Sequence, residues 1–383
     1  MARFLFVLPR FHTNALPWVR ILRSDGHEVS IHVLRVGDVE DHRDDLPRVL
    51  PRSGLGKALG AVMPRKADPD YYAMPGFGDY WRALRDCAPD VVVVRGISRY
   101  AFRIVALAAL LQGRRLVVYD QEDAQPKRGT TTWIRRAALA WAGIPHFTVR
   151  RYLGTPPRDR ALALTIPFGA PRASSNMYRE AAERIERPVD LPRILMVGKY
   201  RPRKGHAVLI EALAELAPRY RFEVSFCAEE SGAADVAFRE SLERQVEMNG
   251  LQDRTRFRAN LAREAILDEY ARHQIFVLPS LQEPAAVSPV EAVWSGCAAM
   301  TDIRSGTGSY LPPRGGCAFD ARHPRALVER LEPLLAAPEA LRRARHECLD
   351  HLASFASDEM ILQGFAGLLP VPTEAPLDNE SSP

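Results

Sequence analysis

Lysine, cysteine and long apolar runs are all scarce in this sequence. Five of its 52 basic side chains are lysine and 47 are arginine, a proportion that reads as a GC-rich coding bias. The positive charge is diffuse and follows no known nucleic-acid-binding module, so nucleic acid is not an expected partner. The five cysteines, Cys87, Cys227, Cys297, Cys317 and Cys348, are odd in number and show no C-x-x-C spacing. That argues against a disulfide framework and a zinc site, and it fits a reducing compartment. No apolar run approaches the ~20 residues of a membrane-spanning helix. The first run, 4–8, is stopped by Pro9; it is too short for the core of a signal peptide and reads as a buried strand. The expected location is cytoplasmic, with any membrane contact peripheral and at the inner face. No internal repeat of fixed short period appears. The segment 370–383 has almost no apolar residues and is expected to be disordered.

What is present is an ordinary globular composition, 46% hydrophobic and 26% charged, over a length that suggests two or three domains. The net charge of +5 conceals a split. Residues 1–192 carry 30 Lys+Arg against 20 Asp+Glu, whereas 193–383 carry 22 against 27. A basic half joined to a mildly acidic one suggests that the basic half meets something anionic. Apolar, β-branched runs at 4–8, 29–34, 91–94, 116–119 and 147–149 alternate with helical stretches such as 103–111 and 133–141. That rhythm predicts a parallel sheet covered on both faces. Prolines at 156, 157, 167, 171, 188 and 192 interrupt it, and a second strand–helix series runs from 194. The expected fold class is therefore α/β, two doubly wound Rossmann-like domains facing each other across a cleft. Their bounds are 1–167 and 193–355, with a linker at 168–192 and a helix at 356–369 returning to the first domain. Ligands of such sheets bind in the crevice at the carboxyl ends of the strands.

Four segments of the second half carry chemistry. In 198–205, GKYRPRKG, a strand end runs toward a helix with Lys199, Arg201, Arg203 and Lys204 crowded together. The helix dipole disfavours cations at that end, so the loop reads either as a phosphate site or as a solvated basic loop. In 279–292, Glu283 and Glu291 bracket a turn of small residues. Ser288, Pro289 and Glu291 fit N-cap, N1 and N3 of a helix, so Glu291 reads as a capping-box glutamate or as a cleft carboxylate. Glu283 has no capping role and is expected in the cleft. The glycine-bearing loop 302–308 and the strand end 258–260 are weaker signals.

In order, G-x5-K-G at 198–205 and PS-x2-EP-x2-VSPVEA-x3-G at 279–296 resemble the retaining glycosyltransferases of the GT-B fold, of the family-four type with its Glu-x7-Glu signature. The resemblance covers about 193–345 and, more weakly, 1–35. It implies a donor-binding second domain and an acceptor-side first domain. By that resemblance Lys199 and Lys204 would hold a donor diphosphate, with Gly198 and Arg203 in the same loop, and would act with Glu283 as the catalytic set. The family usually has arginine at the position of Lys199, so the bidentate fork is lost here. Glu283 would bind hydroxyls of the transferred sugar and Glu291 those of the ribose. Backbone N–H groups of Ala286, Val287 and Ser288 would face sugar or phosphate, and Asn260 would border the base. The family commonly has an aromatic residue and glycine at the positions of Ala285 and Ala286. The implied reaction moves a sugar, with retention, from a nucleotide sugar to a glycan or lipid-linked acceptor, in bacterial cell-surface polysaccharide or glycolipid synthesis. No cofactor and no metal are expected. The alternative is a catalytically silent relative that binds a nucleotide or a partner.

The first half matches less well. Many relatives have a His-Asp pair after the strand at 116–119, where this chain reads Tyr119-Asp120-Gln121-Glu122-Asp123. Asp120, Glu122 and Asp123 are cleft carboxylates or helix caps. His12, Asn14 and Arg95 are further acceptor-side candidates, with Thr13 and Asn14 also read as caps of the next helix. Finally, 127–150 mixes Lys127, Arg128, Arg135 and Arg136 with Trp133 and Trp141. It reads as a helix lying on an anionic membrane or as an ordinary helix with its tryptophans packed inward.

Overall fold

The computed structural model describes residues 1–11, 14–36, 46–62, 70–121, 139, 141–150, 163–281, 283–312 and 318–369. Its first sheet contains β1 (Arg3–Leu8), β2 (Glu28–Val33), β3 (Arg48–Val49), β4 (Val91–Arg95), β5 (Arg115–Asp120), β6 (His146–Thr148) and β7 (Ala163–Thr165). The spatial order is β3-β2-β1-β4-β5-β6-β7, with parallel pairing throughout. The second sheet contains β8 (Arg193–Lys199), β9 (Glu223–Glu229), β10 (Thr255–Ala259), β11 (Ile275–Leu278), β12 (Ala298–Asp302) and β13 (Ala318–Phe319). Its order is β10-β9-β8-β11-β12-β13, again parallel. Each order reverses once, at β1/β4 and at β8/β11, so each sheet has a topological switch point at its carboxyl edge.

Strands buried on both faces need apolar residues at every position. In β1, Phe4, Phe6 and Leu8 join one core layer, while Leu5 and Val7 join the other beside Val92 and Val94 of β4. The first sheet is flanked by α1 (Leu16–Ser24), α2 (Gly54–Val62), α3 (Phe77–Cys87) and α4 (Tyr100–Leu111). Trp18 of α1 is fully buried, edge-on to Tyr119 and Phe147, and its indole N–H donates to the Pro167 carbonyl at 2.8 Å.

The segment 168–192, assigned above as a linker, contains a 12-residue helix, α5 (Ser174–Ile185). Pro171, Pro188 and Pro192 lie outside this helix, where they cost it nothing. The helix docks on the second domain: the Arg345 guanidinium donates to the carbonyls of Arg184, Ile185 and Gly296. The second sheet carries α6 (His206–Leu216), α7 (Ala233–Met248), α8 (Arg263–Arg272), α9 (Ser288–Trp294), α10 (Pro324–Ala336) and α11 (Pro338–Ala356). The last helix, α12 (Asp358–Ala366), lies against α1. Arg20 grips Asp358 with two bonds of 2.9 and 3.0 Å, and Phe365 meets Trp18 edge-on. Tyr310 also ties the two halves: its hydroxyl accepts from the Phe168 N–H at 3.0 Å and donates to the Val149 carbonyl. The expected disordered segment 370–383, and residues 133–138 and 140 of the expected tryptophan helix, lie outside the described residues.

Candidate functional site

A cavity of about 530 Å³ opens between the two sheets at the carboxyl ends of their strands. Its second-domain wall is built by two loops that lock onto each other. The loop after β8 passes through a single 3-10 turn, Pro202–Lys204, into Gly205, which has φ +80°. A Cβ there would lie 2.2 Å from the Pro279 carbonyl oxygen, so only glycine permits both the backbone conformation and the approach. Across this contact, the Leu281 N–H donates to the Arg203 carbonyl at 3.0 Å, and the Ser280 hydroxyl oxygen lies 3.2 Å from the same carbonyl.

This clamp brings Lys204 and Glu283 together. Nζ donates to Oε2 at 2.5 Å, and both side chains are only 10% exposed. The Ser280 hydroxyl and the Arg203 guanidinium reach the same oxygen at 3.0 and 3.3 Å. Burial works against ionisation of Glu283. The charge and hydrogen bond of Lys204, aided by Arg203 and Ser280, outweigh it and hold the carboxyl below the usual carboxylate range. The loop is also supported from beneath. The Gly306 N–H donates to the Glu283 carbonyl at 3.0 Å, and a Cβ on Gly306 would fall 1.5 Å from the Pro284 oxygen. Asp302, fully buried, anchors that glycine loop by accepting from Arg304 and from the Ala321 N–H.

Glu291 is not a cap. The N-cap of α9 is Val287, with no side-chain capping bond, and Ser288 is already the first helical residue. The Glu291 carboxylate instead accepts from Arg263 at 3.0 Å and from the Tyr270 hydroxyl at 3.2 Å, both on α8. Two fixed donors from a neighbouring helix are a stronger claim on a carboxylate than its own helix terminus, which Pro289 has already relieved of one N–H. Ala286, Val287 and Ser288 line the cavity ahead of the first α9 bond, Val290 N–H to Val287 carbonyl, so their N–H groups have no intrahelical acceptor.

Gly198, Lys199, Arg203 and Asn260 also line the cavity. Lys199 pairs with Glu229 at 2.8 Å. Asn260 has φ +51° and spends its side chain on both backbone groups of Glu230, at 2.9 and 3.1 Å. His206, at the start of α6, is buried among Tyr200, Phe226 and Phe238. Burial, with the Lys204 charge nearby, pushes its imidazole down to about 3.

From the first domain, Arg10, Asn14, Arg95 and Gln121 reach the cavity. Asn14 does not cap α1, whose N-cap is Ala15 without a side-chain bond; it is buried and faces the cavity wall. Arg95 ends β4, donates to the side-chain amide oxygen Oε1 of Gln121 and lies over the Tyr119 ring. Asp120 is not among the lining residues. It sits close behind Gly96, with His146 Nε2 3.2 Å from its carboxylate, so a histidine does stand beside this aspartate, brought from β6. His12, Glu122 and Asp123 lie outside the described residues, as does Thr13. The roles of Arg263, Tyr270, Arg10 and Gln121 were not read from the sequence. The first two sit in a helix whose pattern looks like any amphipathic surface helix, and no spacing ties them to Glu291. The sequence carries an Asp-x-Asp at Asp68-Pro69-Asp70, of which Asp68 and Pro69 lie outside the described residues. Asp70 is ion-paired with Arg35 at 2.7 Å and Arg52 at 3.1 Å and does not line the cavity. Among the described residues, no group of three or more His, Cys, Asp or Glu is placed to hold a metal ion.

Comparison with known proteins points the same way. A 116-residue stretch is 29% identical to mannosylfructose-phosphate synthase of Agrobacterium fabrum, covering 30% of this chain and 26% of that protein. A 164-residue stretch is 29% identical to the lipopolysaccharide core biosynthesis mannosyltransferase LpcC of Rhizobium leguminosarum bv. viciae, covering 42% of this chain and 45% of that one. The match thus spans less than half the length of these curated relatives. Among solved structures, a glycosyltransferase from Rickettsia africae superposes with TM-score 0.72 over 96% of this chain and 97% of its own, at 13% identity. Anabaena HepE in complex with UDP-glucose superposes with TM-score 0.68 over 96% and 99%, at 15% identity. The fold is that of the GT-B glycosyltransferases, and residues 178–347 match the model of the family Glycosyl transferases group 1.

Proposed function

We propose that this protein is a metal-independent glycosyltransferase that moves a sugar, with retention, from a nucleotide-diphosphate sugar to a glycan or lipid-linked acceptor in cell-surface polysaccharide or glycolipid synthesis. The observation that carries the reading is the buried Lys204–Glu283 pair in the wall of the inter-domain cavity, with Lys199 and Arg203 beside it. When the bond from the anomeric carbon to the diphosphate breaks, negative charge grows on the departing oxygen. A cation fixed in a wall of low polarity stabilises that charge more than it stabilises the ground state. Glu283 holds Lys204 in place and retains lone pairs for hydroxyls of the sugar, while Glu291, steadied by Arg263 and Tyr270, offers acceptors for the ribose diol. In a retaining transfer without a protein nucleophile, the acceptor oxygen attacks the face that the diphosphate leaves. The names of the relatives, with UDP-glucose bound to HepE and mannose in both curated names, make UDP- and GDP-hexoses the first donors to test.

The test is nucleoside diphosphate release from a panel of nucleotide sugars. One donor is expected to turn over, and Lys204→Met to slow it by about 10²–10³-fold. Release unaffected by Lys204→Met would remove the reading. Peripheral contact with an anionic membrane is part of the same proposal. It is supported by an exposed stripe on α4, Leu107, Leu110 and Leu111 between Arg103 and Arg114, and by Trp141, which is 91% exposed and so does not pack inward. Trp133 lies outside the described residues, and no helix among the described residues is long and apolar enough to cross a membrane. Co-sedimentation with anionic vesicles should weaken with added salt; equal recovery on neutral vesicles would count against it.

A further inference from the structure

The charges lining the cavity are not shared evenly between its walls. All three lining carboxylates, Glu229, Glu283 and Glu291, belong to the second domain. Each is paired with a cation of that same domain: Lys199, Lys204 with Arg203, and Arg263 respectively. The first-domain wall consists of two arginines and two carboxamides, with no carboxylate among its described lining residues. Arg95 is the best defined of these. It stands at the end of a strand whose backbone is paired on both sides, its guanidinium lies 6.0 Å from the Tyr119 ring centroid, and its hydrogen-bond partner, Gln121, is neutral. The ring and the carboxamide orient the fork without neutralising it.

On the glycosyltransferase reading the 198–205 loop, with four cations against the three carboxylates of its wall, meets the donor diphosphate from the second-domain side, and the arginines of the opposite wall face whatever enters beside the donor. On the glycosyltransferase reading, on which this inference rests, the opposite wall receives the acceptor. We infer that the acceptor carries a phosphate ester and that Arg95, with Arg10 lining the same cavity, binds it. A planar guanidinium matches phosphate with two parallel N–H···O bonds, which gives orientation as well as affinity. Asn14 and Gln121 add neutral N–H donors of the kind that complete such a site. Arg95 would then be a specificity-determining residue: it would select the acceptor and set its angle toward the anomeric carbon without touching the reacting atoms.

The experiment compares four acceptors with the donor identified above: a free hexose, its 6-phosphate, the matching uronic acid, and a sugar joined through pyrophosphate to a polyprenyl lipid in micelles. A phosphate-bearing acceptor should show a KM at least about tenfold below that of the free hexose, and Arg95→Gln should erase most of that difference, with Arg95→Lys recovering part of it. Preference for the soluble ester or for the lipid-linked one then identifies the source of the phosphate. Equal KM values for hexose and hexose phosphate, preference for the uronic acid, or a preference that survives Arg95→Gln would each overturn the inference while the glycosyltransferase reading stands. A second readout needs no turnover. Hexose 6-phosphate added to protein saturated with the nucleoside diphosphate should raise Tm in the wild type and not in Arg95→Gln; no rise in the wild type also overturns it. Failure of every nucleotide sugar to release its diphosphate, with every acceptor, would instead sink the glycosyltransferase reading.

Discussion

The two walls of the cavity are made in different ways. The second-domain wall is an interior surface. Lys204, Glu283 and Glu291 are buried, each of them has a charged partner, and the loops that carry Lys204 and Glu283 touch at distances that only glycine allows, at Gly205 and Gly306. The first-domain wall is a rim of strand ends, where Arg10, Asn14, Arg95 and Gln121 follow three separate strands of one sheet. The first kind of wall fixes geometry before any ligand arrives, which is what stabilising a developing charge requires. The second kind can change residue by residue without disturbing a core, which is what choice among acceptors requires.

The comparison breaks most severely at Gly306. Gly306→Ala would place a methyl carbon where the Pro284 carbonyl oxygen stands, and neither backbone can yield without moving Glu283. The expected outcome is a loss of about 3 kcal/mol in denaturant unfolding together with at least a hundredfold loss of turnover. A variant with wild-type stability and rate would mean that the Glu283 loop is not clamped. No first-domain lining residue should show such coupling of stability and activity on truncation.

The foundations of the second-domain wall should also respond to acid. His206 has a folded-state value of about 3, lowered first by burial and then by Lys204, against an unfolded value near 6.5. A group whose charged form is disfavoured in the folded state binds its proton mainly in the unfolded one. Its contribution to stability is therefore complete above about pH 6.5 and falls by as much as ~1.4 kcal/mol per pH unit between there and pH 3. His32, on the first sheet and lowered to about 4 by burial and Arg48, adds a similar slope. His206→Phe, among three aromatic neighbours, is expected to hold its fold and to recover about 2 kcal/mol relative to the wild type between pH 7 and pH 5. Parallel stability curves for the two proteins over that range would show that His206 takes up its proton as readily in the folded state as in the unfolded one.

The same division explains what could be read from the sequence. Parallel doubly wound sheets announce themselves because strands buried on both faces need runs such as Val91-Val-Val-Val94. The donor loops announce themselves because a clamp that tolerates only glycine, next to crowded lysines and arginines, leaves a fixed spacing in the chain. Groups that converge from different elements leave none. Arg263 and Tyr270 are 28 and 21 residues from Glu291, His146 is brought to Asp120 by strand pairing, and the order of residues along a rim says nothing of which side chains face inward. Ser288 and Asn14 were misread for a related reason. Both are good N-cap types at plausible positions, but the N-caps are Val287 and Ala15, neither of which makes a side-chain capping bond, so local propensity yielded to tertiary demands.

The smallest expected effect tests the subtlest part of the contrast, the reading of Glu291. As a capping glutamate it could become glutamine with little consequence, since the amide oxygen still accepts a bond. In the structure its partners are Arg263 and Tyr270, and removing its charge leaves a guanidinium only 15% exposed without its anion. Glu291→Gln keeps the shape and one acceptor oxygen, so the helix should survive with a stability change of about 1 kcal/mol. Donor KM should rise about tenfold, because the ribose diol loses a charged acceptor and Arg263 is free to compete for what remains. If turnover and donor KM are both unchanged, Glu291 only braces α9 against α8, and the nucleotide must be held by the Lys199–Lys204 loop and the strand end at Asn260 alone.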